Sequence, residues 1–244
     1  MNKRLKDVYR KIVPYVGLSN EANRIQWVQT ALSNIPAGHK ILDAGAGQQR
    51  YKDFCSHLQY VSQDFAQYDG EGDGRGLHTK GWKQVNLDII SDICNIPVAD
   101  NSFDAILCIE VIEHLPYPHK ALKELRRILR PGGKLILTAP FASLTHFAPY
   151  HFCSGFNKYY YQKHLSDLGF TILELSVNGN FFEFLAQELY RLDSVSSRYA
   201  GKSLSLLDKM AIYILALKLK KYSKMDMGSS ELLAFGYHVL AQKK

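Results

Sequence analysis

The segment Ile41–Arg50, ILDAGAGQQR, constrains the fold more than any other part of this 244-residue chain. An apolar run ends at the carboxylate of Asp43 and passes at once into Gly45 and Gly47. Glycines let backbone amides come close to a ligand, and a turn between a buried strand and a helix is a common anion-binding site. The segment therefore predicts a strand, a ligand-binding glycine turn and a helix at Arg50–His57.

Apolar runs rich in branched residues, bounded by Gly, Pro or Asp, predict buried strands that alternate with helices. The predicted strands are Lys40–Ala44, Gln59–Gln63, Val85–Ile89, Phe103–Ile109, Lys134–Ala139, Phe170–Val177 and Ala234–Ala241. The predicted helices are Ser19–Asn34, Arg50–His57, Pro118–Arg130, Lys158–Leu168, Phe181–Arg191 and Ser203–Tyr222. Pro131, Gly132 and Gly133 are expected to end one helix and turn the chain back into the next strand. This alternation indicates a doubly wound α/β fold with a parallel sheet covered on both faces.

Acidic residues lie at the ends of three successive predicted strands, where Asp43, Asp64 and Asp92 stand. In a doubly wound sheet these ends meet at the crevice that binds ligands, and a carboxylate about twenty residues after the glycine turn can accept from ribose hydroxyls. Each alone could be a loop residue bonded to its own backbone, and Asp88 could be taken for Asp92. Arg50 stands where a dinucleotide fingerprint needs a third glycine, which disfavours NAD or FAD.

In order and spacing, these segments resemble the class I S-adenosylmethionine-dependent methyltransferases, in particular small-molecule methyltransferases related to those of quinone biosynthesis. The matching segments are DAGAG at Asp43–Gly47, the strand-end Asp64, SDICNIPVADNSFDAILCIEVIEHL at Ser91–Leu115, LRPGGKLILTAP at Leu129–Pro140 and the closing AFGYHVLAQK. The resemblance implies a Rossmann-like sheet of seven strands, the last antiparallel, and S-adenosyl-L-methionine as the cofactor. The four cysteines are far apart in the sequence and none has the spacing of a zinc site, so no metal ligand is predicted.

The resemblance also implies which residues contact the cofactor. From the methionine part through the ribose and adenine to the sulfonium end, they are Asp43, Gly45, Gly47, Asp64, Asp92, Ile93 and Glu110. One departure is visible, because the family often has a third glycine where this chain has Gln49. The side chain of Gln49 is expected to reduce the space between this loop and the cofactor.

Two histidines are candidate catalytic residues. Methyl transfer from a sulfonium needs an aligned acceptor and, for an oxygen acceptor, removal of a proton, for which histidine has a suitable pKa. His146 and His151 lie in the aromatic stretch Phe141–Tyr161, on what should be a loop after the fifth strand. Hydrogen bonds within that loop are the alternative. For the pair Glu113 and His114, packing at a helix start is favoured over catalysis.

The predicted layout is a single domain over residues 1–244. It has N-terminal helices at 1–34, a cofactor-binding core at 35–178, a helical insertion at 179–231 and the final strand at 232–244. Within the core, the glycine-rich segment Gln67–Gly81, close to Trp82, is predicted to be a loop. It is either a second lid over the site or a variable surface insertion.

Charge and hydropathy bear on the partners. The net charge is +7, but the lysines and arginines are dispersed, which favours a solvated surface over binding of nucleic acid. Residues 204–224 combine an apolar run with several lysines, so the segment is either a covering helix, which is favoured, or a peripheral membrane contact. A start without an apolar run and the lack of a long apolar stretch predict a cytoplasmic location.

The expected function is transfer of a methyl group from S-adenosylmethionine to a small-molecule acceptor. A sugar or a lipid-linked metabolite, methylated on oxygen, fits this expectation. Two alternatives stay open: a non-catalytic binding module of the same fold and an RNA methyltransferase. The sequence makes no prediction of the oligomeric state.

Overall fold

The computed structural model describes residues 15–74, 76–78 and 81–244, so the first fourteen residues of the predicted N-terminal helical segment lie outside it. The chain divides into two compact units: Arg24–Ser176 with Gly236–Lys244, and Met1–Asn23 with Val177–Phe235. The strands are β1 (Lys40–Ala44), β2 (Gln59–Asp64), β3 (Ile89–Ile90), β4 (Phe103–Ile109), β5 (Leu129–Pro140), β6 (Phe170–Asn178) and β7 (Gly236–Lys243). The α-helices are α1 (Asn20–Ser33), α2 (Pro118–Ile128), α3 (Lys158–Asp167), α4 (Phe181–Tyr199) and α5 (Leu206–Lys224).

The seven strands form one sheet in the order β3-β2-β1-β4-β5-β7-β6. Strands β1 to β5 pair in parallel, and β7 runs antiparallel to β5. The order reverses at β1 and β4, so the crevice of a doubly wound sheet opens at the carboxyl ends of these two strands. The predicted fold class is confirmed.

Apolar residues cover both faces of the central strands. Leu42, Ile106 and Leu137 pack on one face with α2 and α3, whereas their neighbours Ile41 and Leu107 pack on the other face with α1. Successive side chains of a strand point to opposite faces, so a strand buried on both sides must be apolar throughout. This explains why the strand-end carboxylates are conspicuous in the sequence.

The predicted helix at Arg50–His57 is wrong. The chain forms only a 3-10 turn at Lys52–Cys55. Gln49 adopts φ +56°, a left-handed conformation that cannot continue into an α-helix. Its side-chain amide donates to the backbone oxygen of Asn86 at 2.5 Å, which fixes the segment against the neighbouring chain instead.

The predicted strand at Val85–Ile89 is also largely wrong, because β3 contains only Ile89 and Ile90. Asp88 explains the difference. Its carboxylate accepts hydrogen bonds from the amide and hydroxyl of Ser62, at 2.8 and 2.7 Å. A side chain therefore occupies donors of β2 that a longer β3 would have used.

The Pro131–Gly133 segment lies inside β5, whereas the sequence predicted a turn before the strand. Helix α2 ends at Ile128, and the strand begins at the next residue. Pairing with β4 jumps from Phe103 opposite Leu129 to Ala105 opposite Lys134, so the three residues form an irregularity within the strand. Gly132 supplies the positive φ, +77°, that this bulge requires.

The second unit is helical and built around α4 and α5, at positions where helices were predicted. Helix α5 starts with a capping box, in which Ser205 and Asp208 each accept from the other's backbone amide. Ala186, Ala216 and Leu219 are buried together with Val16 in a small core. Among the described residues, no helix has both the length and the apolar composition that crossing a bilayer requires.

Candidate functional site

A cavity of about 530 Å³ opens at the carboxyl ends of β1, β2, β3 and β4. Six of the seven residues predicted to contact the cofactor line it, namely Gly45, Gly47, Asp64, Asp92, Ile93 and Glu110. The six come from four different strand ends, which are brought together only in the folded sheet. The structure thus gathers the predicted cofactor residues at a single crevice.

Asp43, the seventh, lies behind the cavity wall. It is only 3% exposed, and its carboxylate accepts a hydrogen bond of 2.6 Å from the Tyr60 hydroxyl. Burial raises the pKa of Asp43 to about 7, opposed by the Tyr60 hydrogen bond and reinforced by the nearby charge of Asp64. Its contribution to the site is therefore indirect, through the strand end that precedes the glycine turn.

The glycine turn is held by side chains of β2. Asp64 accepts from the amide of Gly47 through one oxygen and from that of Ala66 through the other, both at 2.9 Å. Gly45 has φ +75°, and a β-carbon there would lie 2.5 Å from a methyl group of Val111. A side chain at this position is excluded both by backbone conformation and by space.

Gln63 is a site residue that sequence reasoning missed. It is buried, its Oε1 accepts from the Gly45 amide at 3.3 Å, and its amide group donates to the Ser91 carbonyl at 2.7 Å. The side chain thereby joins the first and third strand ends. A glutamine inside a strand carries no local signal of such a role.

Gln49, the departure from the family pattern, lines none of the cavity. Its φ of +56° is one that glycine adopts readily and other residues adopt at a cost of roughly 1–2 kcal/mol. The hydrogen bonds of its side-chain amide to Ser62 and Asn86 offset that cost. The glycine turn is therefore preserved without the third glycine.

Glu110 lines the cavity from the end of β4. One of its oxygens lies 3.0 Å from Nη1 of Arg24, and the other accepts from the Thr138 hydroxyl at 2.8 Å. Its backbone has φ +55°, which directs the chain sharply out of the strand. The carboxylate is thus fixed in position with a partly compensated charge.

Aromatic side chains form the opposite wall of the cavity. They are Phe65, Tyr68, Trp82, Phe147, Tyr150 and Phe152. Two loops provide them, and the loops are joined by backbone hydrogen bonds in which Leu77 pairs with Thr145 and Phe147 at 3.0 and 2.9 Å. The predicted loop 67–81 therefore packs against the aromatic stretch that follows β5.

The histidines lie beside this wall. His114 lines the cavity, and its Nδ1 donates to the Tyr150 carbonyl at 2.6 Å. Burial, together with two neighbouring histidines, lowers the pKa of His114 to about 3. His146 and His151 have ring centres 4.6 and 6.0 Å from that of His114, but neither belongs to the cavity wall. Their catalytic role stays a prediction.

A glycine turn and three carboxylates face an aromatic wall across the switch point of a doubly wound sheet. Backbone amides and carboxylates can bind a ligand that is rich in hydroxyl and amino groups, and carboxylates favour a cation. The arrangement thus defines the nucleoside-cofactor class of α/β proteins.

Comparison with known proteins narrows this class. Residues 42–137 match the model of the methyltransferase domain family. A demethylmenaquinone methyltransferase of Renibacterium salmoninarum is 33% identical over 129 residues, which are 50% of this chain and 49% of that protein. A tRNA (carboxymethyluridine(34)-5-O)-methyltransferase of Arabidopsis thaliana is 28% identical over 136 residues, 54% of this chain and 31% of that protein.

The solved structure of a SAM-dependent methyltransferase from Archaeoglobus fulgidus superimposes with a TM-score of 0.52 at 14% identity, covering 89% of this chain and 94% of that one. Such a likeness establishes the fold. The chain spans less than half of the length of the curated relatives it matches first. Residues 42–137 are thus similar to the methyltransferase domain, and the fold is that of solved S-adenosylmethionine-dependent methyltransferases.

Proposed function

We propose that the protein transfers the methyl group of S-adenosylmethionine to an oxygen atom of a small molecule. The observation that supports this most directly is the gathering of six predicted cofactor residues on one side of a single cavity. The opposite wall is aromatic and belongs to loops, and in this fold loops set the choice of acceptor. A cavity of about 530 Å³ accommodates part of a cofactor together with a small acceptor.

The residues of the chain mainly align the reactants. The glycine turn receives the methionine part, while Asp64 and Asp92 accept from the ribose hydroxyls and the adenine amino group, and Ile93 packs on the ring. Glu110 places a negative charge near the sulfonium. The acceptor oxygen then bonds to the methyl carbon as the carbon–sulfur bond breaks, and the hydroxyl proton passes to solvent.

The aromatic wall favours a flat or cyclic acceptor, such as a sugar or a lipid-linked metabolite with a ring. Tyr68 and Phe147 have ring centres 4.5 Å apart, and Trp82 lies 5.0 Å from Tyr68. Aromatic side chains bind the apolar face of a ring and exclude water. His114, neutral near pH 7, offers a hydrogen-bond partner in this wall.

Two other functions remain as outcomes of the test. An RNA methyltransferase is represented among the relatives, and bases also stack on aromatic side chains. A binding module without turnover would bind the cofactor but transfer no methyl group.

Calorimetric titration with S-adenosylhomocysteine tests the cofactor side. Wild-type protein should bind it, and Asp64→Ala should weaken binding about 10- to 100-fold because the Gly47 amide loses its charged acceptor. Asp92→Asn should weaken it less. Asp88→Asn is the matched control, because that carboxylate binds Ser62 and does not line the cavity.

Absence of S-adenosylhomocysteine binding, or binding of NAD instead, would overturn the proposal. Once binding is established, labelled S-adenosylmethionine should be supplied with sugars, quinols, lipid-linked sugars and tRNA in separate reactions. Label in a small hydroxylated compound supports the proposed acceptor class. Label in tRNA replaces it with RNA methylation, and label in none favours the module without turnover.

Helix α5 supports a peripheral membrane contact. At 100° per residue, an arc of about 120° collects Leu206, Leu207, Met210, Tyr213, Ile214 and Leu217. All six are exposed, Leu206 and Leu207 to 76%. Lys218, Lys221 and Lys224 follow on the same helix and are exposed as well. An apolar face bordered by lysines fits the interface of an anionic bilayer.

Flotation with vesicles tests this contact. The protein should float with vesicles that contain 30% phosphatidylserine, and less with phosphatidylcholine alone. The double variant Leu206→Gln with Leu207→Gln should weaken binding about tenfold through lost apolar burial. Leu173→Gln, an exposed leucine on β6, is the control. Equal flotation of both variants would show that α5 is not the contact.

A further inference from the structure

Three side chains that could bind a metal ion converge beside the cavity. Glu113 and His114 belong to the 3-10 turn Ile112–His114 after β4, and His146 belongs to the loop after β5. One potential ligand atom from each lies within 4.8 Å of the others. Of these three side chains, the proposed function uses only His114, as a hydrogen-bond partner in the cavity wall.

Glu113 is the most unusual member of the group. Its side chain is fully buried, and neither carboxylate oxygen has a hydrogen-bond partner. Nε2 of His114 lies 3.7 Å from Oε1 of Glu113, which is too long for a hydrogen bond. A buried carboxylate without a partner is costly, whereas a bound cation would compensate its charge.

The histidines are oriented as metal ligands usually are. Nδ1 of His114 lies 2.6 Å from the Tyr150 carbonyl, and Nδ1 of His146 lies 2.8 Å from the Leu144 carbonyl. A carbonyl only accepts, so in each ring Nδ1 carries the hydrogen and the lone pair is on Nε2. Metal-binding histidines typically donate their second nitrogen to a backbone carbonyl in this way.

We propose that Glu113, His114 and His146 bind one divalent transition-metal ion. Two imidazoles and one carboxylate suit zinc, manganese or iron(II) and disfavour calcium and magnesium, which prefer oxygen ligands. Around zinc, with bonds of ~2.1 Å, ligand atoms lie ~3.4 Å apart, so the three side chains must draw together by about 1 Å. His146 is on an irregular loop, which allows this movement.

A site with three protein ligands leaves a coordination position open. Because His114 also lines the cavity, that position can receive the acceptor oxygen. An ion there would lower the pKa of the acceptor hydroxyl, whose proton would pass to solvent before its oxygen bonds to the methyl carbon and the carbon–sulfur bond breaks. This last step rests on the proposed function, whereas metal binding itself does not.

Calorimetric titration of chelator-treated full-length protein with zinc chloride tests the site, with manganese and magnesium chloride as further probes. Wild-type protein should bind one zinc ion per chain at micromolar concentration or below. Glu113→Gln and His146→Ala should each weaken binding at least about 100-fold, because either change removes a ligand. His119→Ala, an exposed histidine on α2, is the control for adventitious binding and should change nothing.

Glu113→Gln also guards against unfolding as an explanation, since it keeps the side-chain shape. Its melting temperature without metal should equal or exceed that of wild type, whereas the increase that zinc gives to wild type should vanish. Both variants should bind S-adenosylhomocysteine like wild type, which separates this site from the cofactor side. Zinc binding that is absent, or unchanged in both variants, would overturn the proposal. Methyl transfer that persists in chelator would overturn the role in acceptor activation.

Discussion

The two sides of the cavity are built in different ways. The cofactor side carries the predicted cofactor residues, which follow strand ends within Gly45–Glu110. There, the β2 side chains Gln63 and Asp64 hold the glycine turn. On the aromatic and histidine side, two irregular loops meet through contacts such as Leu77 with Thr145. A strand end places a residue by its position in the sheet, but a loop places it only by tertiary packing. The residues of the cofactor side can therefore be predicted from the sequence, whereas those of the aromatic and histidine side cannot.

The largest expected effect concerns Asp43, the carboxyl group that is buried behind the cofactor side of the cavity. Burial raises the pKa of Asp43 from 3.8 to about 7. Between these values the unfolded chain is ionised while the folded protein keeps its proton, so rising pH destabilises the fold. Asp43→Asn removes this effect, and Tyr60 can still donate to the amide oxygen. The unfolding free energy of the variant, relative to wild type, should rise by on the order of 4 kcal/mol between pH 4 and pH 8.

Asp88→Asn is the matched control, and its pH dependence has the opposite sign. Hydrogen bonds from Ser62 lower the pKa of Asp88, so its contribution to stability is present above the unfolded pKa and is lost in acid. The unfolding free energy of the variant, relative to wild type, should therefore fall as the pH rises from the folded to the unfolded pKa of Asp88. Urea unfolding at a series of pH values measures both. A pH-independent difference for Asp43→Asn would show that this carboxylate is not held neutral in the fold.

The second test adds one methyl group to the glycine turn. In Gly45→Ala the new β-carbon lies 2.5 and 2.7 Å from the two methyl groups of Val111, a stiff side chain on the cavity wall. Overpacking of this kind costs ~1–3 kcal/mol, which should weaken binding of S-adenosylhomocysteine up to about 100-fold. Calorimetric titration of the folded variant measures the change.

Gly38→Ala separates space from backbone strain. Gly38 has φ +79°, close to the φ of +75° at Gly45, but nothing lies within 4 Å of its missing β-carbon. Both variants therefore bear the same penalty for a left-handed alanine, and only one meets Val111. Equal affinity for S-adenosylhomocysteine in the two would mean that the close packing at Gly45 does not shape the cofactor side.

The elements that the sequence predicted well share a local cause. Strands β1 and β4 have the predicted bounds because short, mainly apolar runs can be buried on both faces of a sheet. Errors arose where one side chain made a distant contact, as Gln49 does with Asn86 and Asp88 with Ser62. Such contacts leave no periodicity in the sequence.

The candidate site likewise contains residues that the sequence predicts and residues that depend on distant contacts. Apart from Asp43, every predicted cofactor residue lines the cavity, since strand-end position and residue type both mark it. Gln63 was missed because its amide acts across two strands, and Phe147 was not distinguished within a run of aromatics. For Glu113, burial without a hydrogen-bond partner follows from packing that no spacing rule contains. The residues named from chemistry alone, His146 and His151, lie next to the wall but outside it.

Trp82 lies between the glycine turn and the aromatic wall. Its substitution has the smallest expected effect on cofactor affinity. Its ring would lie 3.2 Å from a β-carbon at Gly47, and its centre is 5.0 Å from Tyr68 and 6.0 Å from Phe147. Trp82→Phe keeps an aromatic ring but shortens the reach over the glycine turn. Since such aromatic contacts are worth ~0.5–1.5 kcal/mol, affinity for S-adenosylhomocysteine should fall only about fivefold.

The chain contains one other tryptophan, which provides both the control and an optical signal. Trp27 stacks on His238 and donates to Glu174 at 2.8 Å, away from the cavity wall. Binding of S-adenosylhomocysteine should change the tryptophan fluorescence of wild type and Trp27→Phe alike, and Trp82→Phe should lose the change. If Trp27→Phe lost it instead, Trp82 would not cover the bound cofactor. The aromatic wall would then serve the acceptor alone, and the two sides of the cavity would be independent in binding as well as in construction.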